Sequence, residues 1–378
     1  MALTRSRPHR APEQIALIDD GLDLNQLLTY NGTVRARGQS YLPLDWNMEN
    51  SWYRSSGGQG TIMANMITRV NPWVSLYVMK VHRTHNNQRP SSLERAKLAD
   101  SAARAIRGAI RRRVNIISIS WTLKAKKAPW VRSNRSNGTN DTAGVVLDPE
   151  AETIGKLEAA IDEAVRQNIL IFCSASDRIE EEAKNSLPYR QAPDHVFRIG
   201  AALPHGQPAP QTEDKDKVDY FFPGIQVAED FNPRETKLPR SHDGSSVATA
   251  LAAGLASLVM YCAAVMREYN TEKNKAKPGD KGETETKDTT VQDYYTKAAA
   301  ALQSRESMKQ AFDNIGTGRL ADKYLEVWKE FGEATEAIAD LDTTTSSTAE
   351  YSRKKMELLD ELARRLCHKI KLDDVVHG

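Results

Sequence analysis

The chain has 378 residues, which is enough for one large or two medium domains that each bury a sizeable core. Lysine and arginine total 52 against 50 for aspartate and glutamate, so the formal net charge of +2 gives no field that favours nucleic acid or a membrane surface as partner. The cysteines number three and lie in apolar segments, which argues against a disulfide framework.

The N-terminal tail, 1–14, contains arginines and prolines but no apolar run that could form the core of a signal peptide. The longest apolar run, Ala248–Val265, is interrupted by glycine and serine and falls short of the roughly 20 residues that a membrane span needs. We therefore expect a soluble protein of the cytoplasm or another intracellular compartment.

Between Gln14 and Arg267, apolar strand patterns alternate with helix patterns, which predicts an α/β fold with a parallel sheet covered by helices on both faces. The predicted helices are Leu93–Arg112 and Asp148–Gln167, whose apolar residues recur every three to four positions. The predicted strands are Ile15–Ile18, Val74–Val81, Asn115–Trp121, Leu170–Ala175 and Val196–Ala202.

The rest of the chain divides by composition. Lys124–Gly144 is polar and glycine-containing, which predicts an exposed insertion. A polar linker at 268–293 lacks the apolar residues that a packed core needs. A helical extension at 294–378 follows, with helix patterns at Tyr294–Phe312, Ala321–Leu341 and Ala349–Ile370. We expect this extension to pack onto the α/β domain at 15–267; the alternative is a partner-binding helix.

The first candidate motif is the apolar run that ends in Asp19, Asp20 and Gly21. It places carboxylates at the carboxyl end of a strand, which is where α/β sheets carry their sites. An Asp-Gly turn also occurs for purely structural reasons, so this motif alone does not indicate a site.

The second motif is Gly244-Ser245-Ser246-Val247-Ala248, which leads into a helix that is apolar on every face. At such a helix start, backbone N–H groups and the positive end of the dipole can stabilise an oxyanion, so Ser246 is a candidate nucleophile. The alternative is that one of the serines only caps the helix.

The third motif is Gly58-Gln59-Gly60-Thr61, a glycine turn that opens another helix. It lacks the lysine of a phosphate-binding loop. Glycines on both sides of Gln59 indicate that its side chain is presented where two backbones approach closely; the alternative is a flexible turn.

The three motifs in this order resemble the subtilase family of serine peptidases, and the chain is most similar to fungal subtilase-like domains. The family order is Asp, His, Ser, and Asp19, Gln59 and Ser246 fall on those positions. The resemblance covers residues 14–265 and implies a doubly wound subtilisin-like parallel sheet and an extended peptide or protein as substrate.

The resemblance also implies a substrate-binding strand and an oxyanion residue. Ser118, Ser120, Trp121 and Thr122 lie in a segment similar to the edge strand that pairs with substrate backbone in the family. Asp177 stands where the family normally has an asparagine amide that stabilises the oxyanion.

Two departures from the family pattern affect hydrolysis. Gln59 has no basic nitrogen to deprotonate Ser246, and loss of the triad histidine costs about 10⁶ in turnover in subtilisin. An ionised Asp177 would repel an oxyanion. His242, four residues before Ser246, is the candidate substitute base. No residue cluster has zinc-ligand spacing, so we expect neither a metal nor a cofactor.

Two functions of different classes follow from these residues. The first is a pseudopeptidase that binds peptides or regulates a partner without hydrolysis. The second is a serine endopeptidase or acyl-transfer enzyme, seen as an inactivated His-to-Gln variant or using a substitute base. The presence of both Asp19 and Ser246 fits a recent loss or an introduced change. Oligomeric state and side-chain preference are not indicated.

Overall fold

The computed structural model describes residues 14–28, 34–42, 50–83, 90–124, 149–177, 186–212, 214–230, 239–275, 293–317, 323–344 and 347–372. The predicted insertion lies outside these residues from 125 onward, and so do the tail up to 13 and most of the predicted linker, 276–292.

The centre of the protein is a parallel sheet of seven strands in the order β2-β3-β1-β4-β6-β8-β9. Two short antiparallel pairs, β5 with β7 and β10 with β11, lie outside it. The strands are β1 (Gln14–Asp19), β2 (Arg35–Ser40), β3 (Ser75–Lys80), β4 (Ile116–Ile119), β5 (Leu123–Lys124), β6 (Leu170–Ser174), β7 (Ser186–Leu187), β8 (Val196–Ala202), β9 (Tyr220–Pro223), β10 (Val227–Ala228) and β11 (Ser241–His242).

The helices cover both faces of this sheet. They are α1 (Gln59–Val70), α2 (Ser92–Arg111), α3 (Pro149–Arg166), α4 (Ser245–Lys275), α5 (293–301), α6 (Arg305–Ile315), α7 (Val327–Thr344) and α8 (Thr348–Leu366). Successive strand residues point to opposite faces: Ile15 and Leu17 pack toward α1 and α4, whereas Ala16 and Ile18 pack toward α2 and α3. The predicted doubly wound α/β fold is confirmed.

All five predicted strands are present, and β2 and β9 complete the sheet of seven. The strand β2 shows why such an outer strand escapes prediction. Its exposed residues alternate with half-buried ones along Arg35–Ser40, because it is an outer strand of the sheet. Because Arg35 and Arg37 are charged, this strand does not form the apolar run by which buried strands are predicted from a sequence.

Helix α4 is long and apolar enough to cross a membrane by length and composition, yet 72% of its most apolar stretch is buried inside the protein. Its apolar character is therefore accounted for by the core. The helix continues to Lys275, so the linker predicted to begin at 268 begins later. Tyr269 and its half-buried apolar neighbours pack the C-terminal end of α4 against the rest of the protein.

The C-terminal helices pack onto the α/β body, as we expected. The predicted helix Tyr294–Phe312 is two helices, because Ser304 caps α6 by accepting from the Ser307 N–H at 3.2 Å. Phe312 of α6 is fully buried, with its ring 6.3 Å from Phe172 and 5.4 Å from Tyr220. The first part of the predicted extension thus belongs to the core of the sheet domain.

Removal of the Phe312 ring tests this shared core. Phe312→Ala should lower the free energy of unfolding by about 3–5 kcal/mol, because it leaves a cavity between the helix and the sheet. Trp328→Ala on α7, where the side chain is 54% exposed, is the control and should cost far less. Equilibrium urea unfolding measures the free energy of unfolding of both variants. Equal losses of stability would mean that Phe312 of α6 is not part of the core of the sheet domain.

Candidate active site

The three motif segments meet at the carboxyl ends of β1 and β4, beside the start of α4. The strand order reverses at β1, which pairs with β3 on one side and β4 on the other. Ligands of open α/β sheets bind at such a switch point. Asp19 is the last residue of β1 and is fully buried.

Asp20 organises the glycine turn at the start of α1. Its carboxylate accepts hydrogen bonds from Gly60 N–H at 2.7 Å, Gly57 N–H at 2.6 Å and the Ser55 hydroxyl at 2.7 Å. A Cβ on Gly60 would lie 2.0 Å from the carbonyl oxygen of Gly21, so only glycine fits. The predicted close backbone approach is confirmed at Gly60, whereas Gly58 has open space on that side and is distinguished by its φ of 81°.

Arg83 joins Asp19 to Gln59. One guanidinium nitrogen donates to Asp19 Oδ1 at 3.0 Å, and the other donates to Gln59 Oε1 at 3.1 Å. The side chain is 16% exposed. No sequence motif marks Arg83; only the register that sets Lys80 beside Asp19 brings the segment after β3 to this site.

The carboxyl group of Asp19 is poorly compensated. Burial raises its pKa from 3.8 to about 6, against the lowering effect of the Arg83 cation, and the neighbouring Asp20 raises it further. Oδ1 also accepts from the Asp20 N–H at 2.8 Å. Within the described residues, the buried atoms Asp19 Oδ2 and Ser120 Oγ have no hydrogen-bond partner.

Ser246 lies in the first turn of α4 and is half-buried. Its hydroxyl donates to the backbone carbonyl oxygen of Ser120 at 2.6 Å. A hydroxyl carries a single proton. The hydroxyl proton of Ser246 therefore lies in a hydrogen bond to a carbonyl oxygen, which does not act as a base.

Asp177 caps α4 from the end of the β6 segment. Its Oδ2 accepts from Ser245 N–H at 2.6 Å and its Oδ1 from the Ser245 hydroxyl at 2.6 Å. Ser245 also accepts from the Ala201 N–H at 3.0 Å, which ties the helix start to β8. Ser245 is fully buried and has the structural role, so Ser246 is the serine that remains for chemistry.

The predicted substrate strand needs correction at three side chains, which are buried. Ser118 is fully buried in β4 and pairs with Leu17 and Phe172 on its two sides, so it does not lie at an edge. Trp121 is 5% exposed and donates its indole N–H to the Ile18 carbonyl at 2.9 Å. Ser120 is also buried, and only Thr122 of the four is half-buried.

The structure does not direct His242 to the nucleophile. Its Nε2 lies 2.6 Å from Glu229 Oε1, within the hairpin of β10 and β11. Ser246 is bonded to Ser120 instead. Among the residues with described positions, no group of three or more His, Cys, Asp or Glu side chains could hold a metal ion.

A profile of the subtilase family matches residues 13–310. The chain belongs to the subtilase family. The match extends past the predicted domain end at 267 and includes α5 and the first half of α6, in agreement with their place in the core. A comparison with curated protein sequences gives no match.

Solved structures of proteases are similar to parts of the chain. A lanthipeptide protease is 18% identical with a TM-score of 0.48, over 84% of this chain and 86% of its own. A mutant of the protease domain of PatA is 14% identical with a TM-score of 0.47, over 85% and 94%. The MycP3 protease of the type VII (ESX-3) secretion system is 19% identical with a TM-score of 0.46, over 66% and 72%.

The raised pKa of Asp19 predicts a pH dependence of stability. The folded protein keeps the proton on the Asp19 carboxyl up to about pH 6, whereas the unfolded chain loses it near pH 3.8. The protonated carboxyl therefore contributes stability that is fully present below pH 3.8 and is lost as the pH rises through about 6. Asp19→Asn keeps an acceptor for Arg83 and removes the buried charge. It should raise the free energy of unfolding at pH 7 by about 1–3 kcal/mol.

Urea unfolding between pH 4 and 8 measures this effect. The gain from Asp19→Asn should shrink toward pH 4, and Asp100→Asn, which removes an exposed carboxylate paired with Arg104, should change stability by less than about 0.5 kcal/mol. A loss of stability in Asp19→Asn at pH 7 would contradict the account of a costly buried charge.

Proposed function

We propose that this subtilase-family domain binds extended peptides at its cleft without hydrolysing them, as a pseudopeptidase. One observation carries the proposal: the Arg83 guanidinium bridges Asp19 and Gln59. In the Asp, His, Ser order of the family, an imidazole would stand between the aspartate and the serine. In this chain the Asp19 carboxylate and the Gln59 amide are instead linked through the Arg83 guanidinium.

A guanidinium cannot replace an imidazole as the base. A guanidinium offers only N–H donors and has no acceptor nitrogen, and the Gln59 amide has no basic nitrogen. The Ser246 hydroxyl instead donates a hydrogen bond to the Ser120 carbonyl oxygen. Without a base, the hydroxyl stays a weak nucleophile and the leaving amine receives no proton.

The head of α4 adds a second obstacle to hydrolysis. Acyl transfer needs donors aimed at the oxygen that becomes negative, and one such donor is worth roughly 3–4 kcal/mol in the transition state. Asp177 places an acceptor there, and it accepts the Ser245 N–H. We infer that an oxyanion beside Ser246 would meet a carboxylate in place of an amide donor.

Peptide binding does not depend on these groups. The backbone that follows β4, at Ser120–Thr122, leaves the sheet before it pairs again at Leu123 with β7. Main-chain hydrogen bonds to an extended peptide need only backbone N–H and C=O groups. The buried Trp121 side chain holds this backbone in place through its indole N–H, which donates to the Ile18 carbonyl oxygen.

The second candidate is an active endopeptidase or acyl-transfer enzyme of which this chain is an inactivated His-to-Gln form. One observation favours it: Asp19 Oδ2 is buried without a hydrogen-bond partner among the described residues. An imidazole N–H from residue 59 would supply that partner. The two candidates differ in what restoration of histidine should do while Arg83 is present.

Restoration of histidine should succeed only when Arg83 is also removed. In Gln59→His, the guanidinium keeps Asp19 engaged and disfavours an imidazolium beside it, so ester hydrolysis should stay near background. The double variant Gln59→His, Arg83→Ala frees Asp19 to orient the ring, and Ser246-dependent hydrolysis should then rise by at least about a hundredfold. Labelling with a fluorophosphonate probe and ester hydrolysis give the two readouts.

Two controls accompany this test. Ser246→Ala in the double variant should abolish the gain, and Arg83→Ala alone should give none. High activity of Gln59→His with Arg83 in place would favour the inactivated-enzyme candidate. If the double variant folds but stays inactive, the arrangement of Asp19 and Ser246 is not one that supports acyl transfer.

Binding is expected to depend on the backbone at Thr122. Thr122→Pro removes an N–H group and restricts Trp121, so the affinity for extended peptides should fall by at least about tenfold. Thr122→Ala is the matched control and should bind as the wild type does. Fluorescence polarisation with a peptide library measures both, and unchanged binding by a folded Thr122→Pro would remove this segment from the proposal.

A further inference from the structure

Four exposed arginines lie on the outer strand β2 and at the C-terminal end of α2. They are Arg35 and Arg37 on the strand, and Arg111 and Arg112 at the end of the helix. Among the described residues, none of the four forms an ion pair with a carboxylate, whereas eleven other arginines do. The charge of these four guanidinium groups is therefore not balanced by the described part of the chain.

The strand places Arg35 and Arg37 on the same side of the sheet as α2. Alternate residues of a strand point to one face, so both arginines point to the side of Tyr41, which follows β2. Tyr41 lies against α2, where a Cβ on Gly108 would be 1.8 Å from the Tyr41 hydroxyl oxygen. Arg37 is also in register with Tyr77 of β3, which is buried against the same helix.

The end of α2 brings Arg111 and Arg112 to this place. The guanidinium carbon of Arg112 lies 3.7 Å from the centre of the Tyr77 ring, beside the strand position of Arg37. Burial raises the pKa of Tyr41, and the cations Arg111 and Arg112 oppose this rise, so both lie near that hydroxyl. The strand and the helix therefore share one positively charged surface. We call it the arginine patch: Arg35, Arg37, Arg111 and Arg112.

The outer edge of β2 lies beside the arginine patch. Within the described residues, β2 is the last strand of the sheet and pairs with β3 alone. An extended peptide adds to such an edge by main-chain hydrogen bonds, and its alternate side chains then lie beside alternate residues of the strand. Arg35 and Arg37 are spaced for two such side chains. A second copy of this edge would bring arginine beside arginine, whereas an acidic strand has the matching charge.

We propose that the arginine patch binds an extended acidic segment of a partner protein, which adds as a strand to the edge of β2. The planar fork of each guanidinium fits the two oxygens of a carboxylate. The strand registers set Arg35 at the amino end of the sheet and Asp19 at the carboxyl end. The surface is therefore separate from the cleft, and the inference does not rest on the proposed function.

Labelled peptides test the proposal on the full chain. The first alternates glutamate with threonine, the second has glutamine in place of glutamate, and the third is the first with every backbone nitrogen methylated. In fluorescence polarisation at about 0.15 M salt, the glutamate peptide should bind at least about tenfold more tightly than the glutamine peptide, because several exposed ion pairs add. The methylated peptide keeps the charges but lacks N–H donors, so it should bind at least about tenfold more weakly than its parent.

A double variant locates the binding surface. Arg35→Gln, Arg37→Gln should lower the ratio of the two affinities, glutamate over glutamine peptide, by at least about threefold. The control Arg353→Gln, Lys354→Gln removes two exposed cations from α8, which packs against α4 on the other side of the sheet, and should leave the ratio unchanged.

Several outcomes would overturn the proposal. Equal binding of the glutamate and glutamine peptides, or an unchanged ratio in the β2 variant, excludes the arginine patch, and undiminished binding of the methylated peptide excludes strand addition. If anionic vesicles or a single-stranded oligonucleotide bind the patch more tightly than the peptide does, or if the β2 variant abolishes self-association of the wild type, the partner is not an acidic protein segment. Should the β2 variant not fold, Arg111→Gln, Arg112→Gln must lower the ratio instead.

Discussion

The structure of the site depends on the Arg83 guanidinium between Asp19 and Gln59. A fully buried carboxylate needs a compensating charge, and Arg83 supplies it from the segment after β3. The planar fork of arginine can donate in two directions at once, which a lysine cannot do with the same geometry. It therefore holds β1, β3 and the start of α1 together, and it fixes the residue that would otherwise face Ser246. Burial still raises the pKa of Asp19 to about 6, so the compensation is incomplete.

The motif residues also have structural roles that do not require hydrolysis. Gly60 and Gly21 allow two backbones to meet, Asp20 binds the turn before α1, and Ser245 ties α4 to β8. These contacts would hold the same loops in place in an inactive protein. A peptidase needs, in addition, a base beside its nucleophile and donors around the developing oxyanion. In this site the chain instead has an arginine bonded to Asp19 and Gln59, and a carboxylate that accepts from the start of α4.

The fold followed from periodicity because the inner strands are apolar on both faces, and the seven-stranded sheet confirms it. The outer strand β2 escaped detection, since alternating arginines and small residues do not form an apolar run. Single motifs were ambiguous, and only their order indicated the family. Arg83 could not be predicted, because its role arises from strand register rather than local sequence. Ser118, Ser120 and Trp121 could not be placed either, since the sequence looks the same whether these side chains face the core or the site. The similarity to fungal domains and the intracellular location stay predictions.

The absence of hydrolysis by this chain is tested most directly with proteome-derived peptide libraries. Wild-type protein and Ser246→Ala would be incubated with the same libraries over a wide pH range, and new termini counted by mass spectrometry. The account predicts identical profiles for the two proteins, because Ser246 has no base while Arg83 bridges Asp19 and Gln59. Cleavage that appears with the wild type and disappears with Ser246→Ala would contradict it.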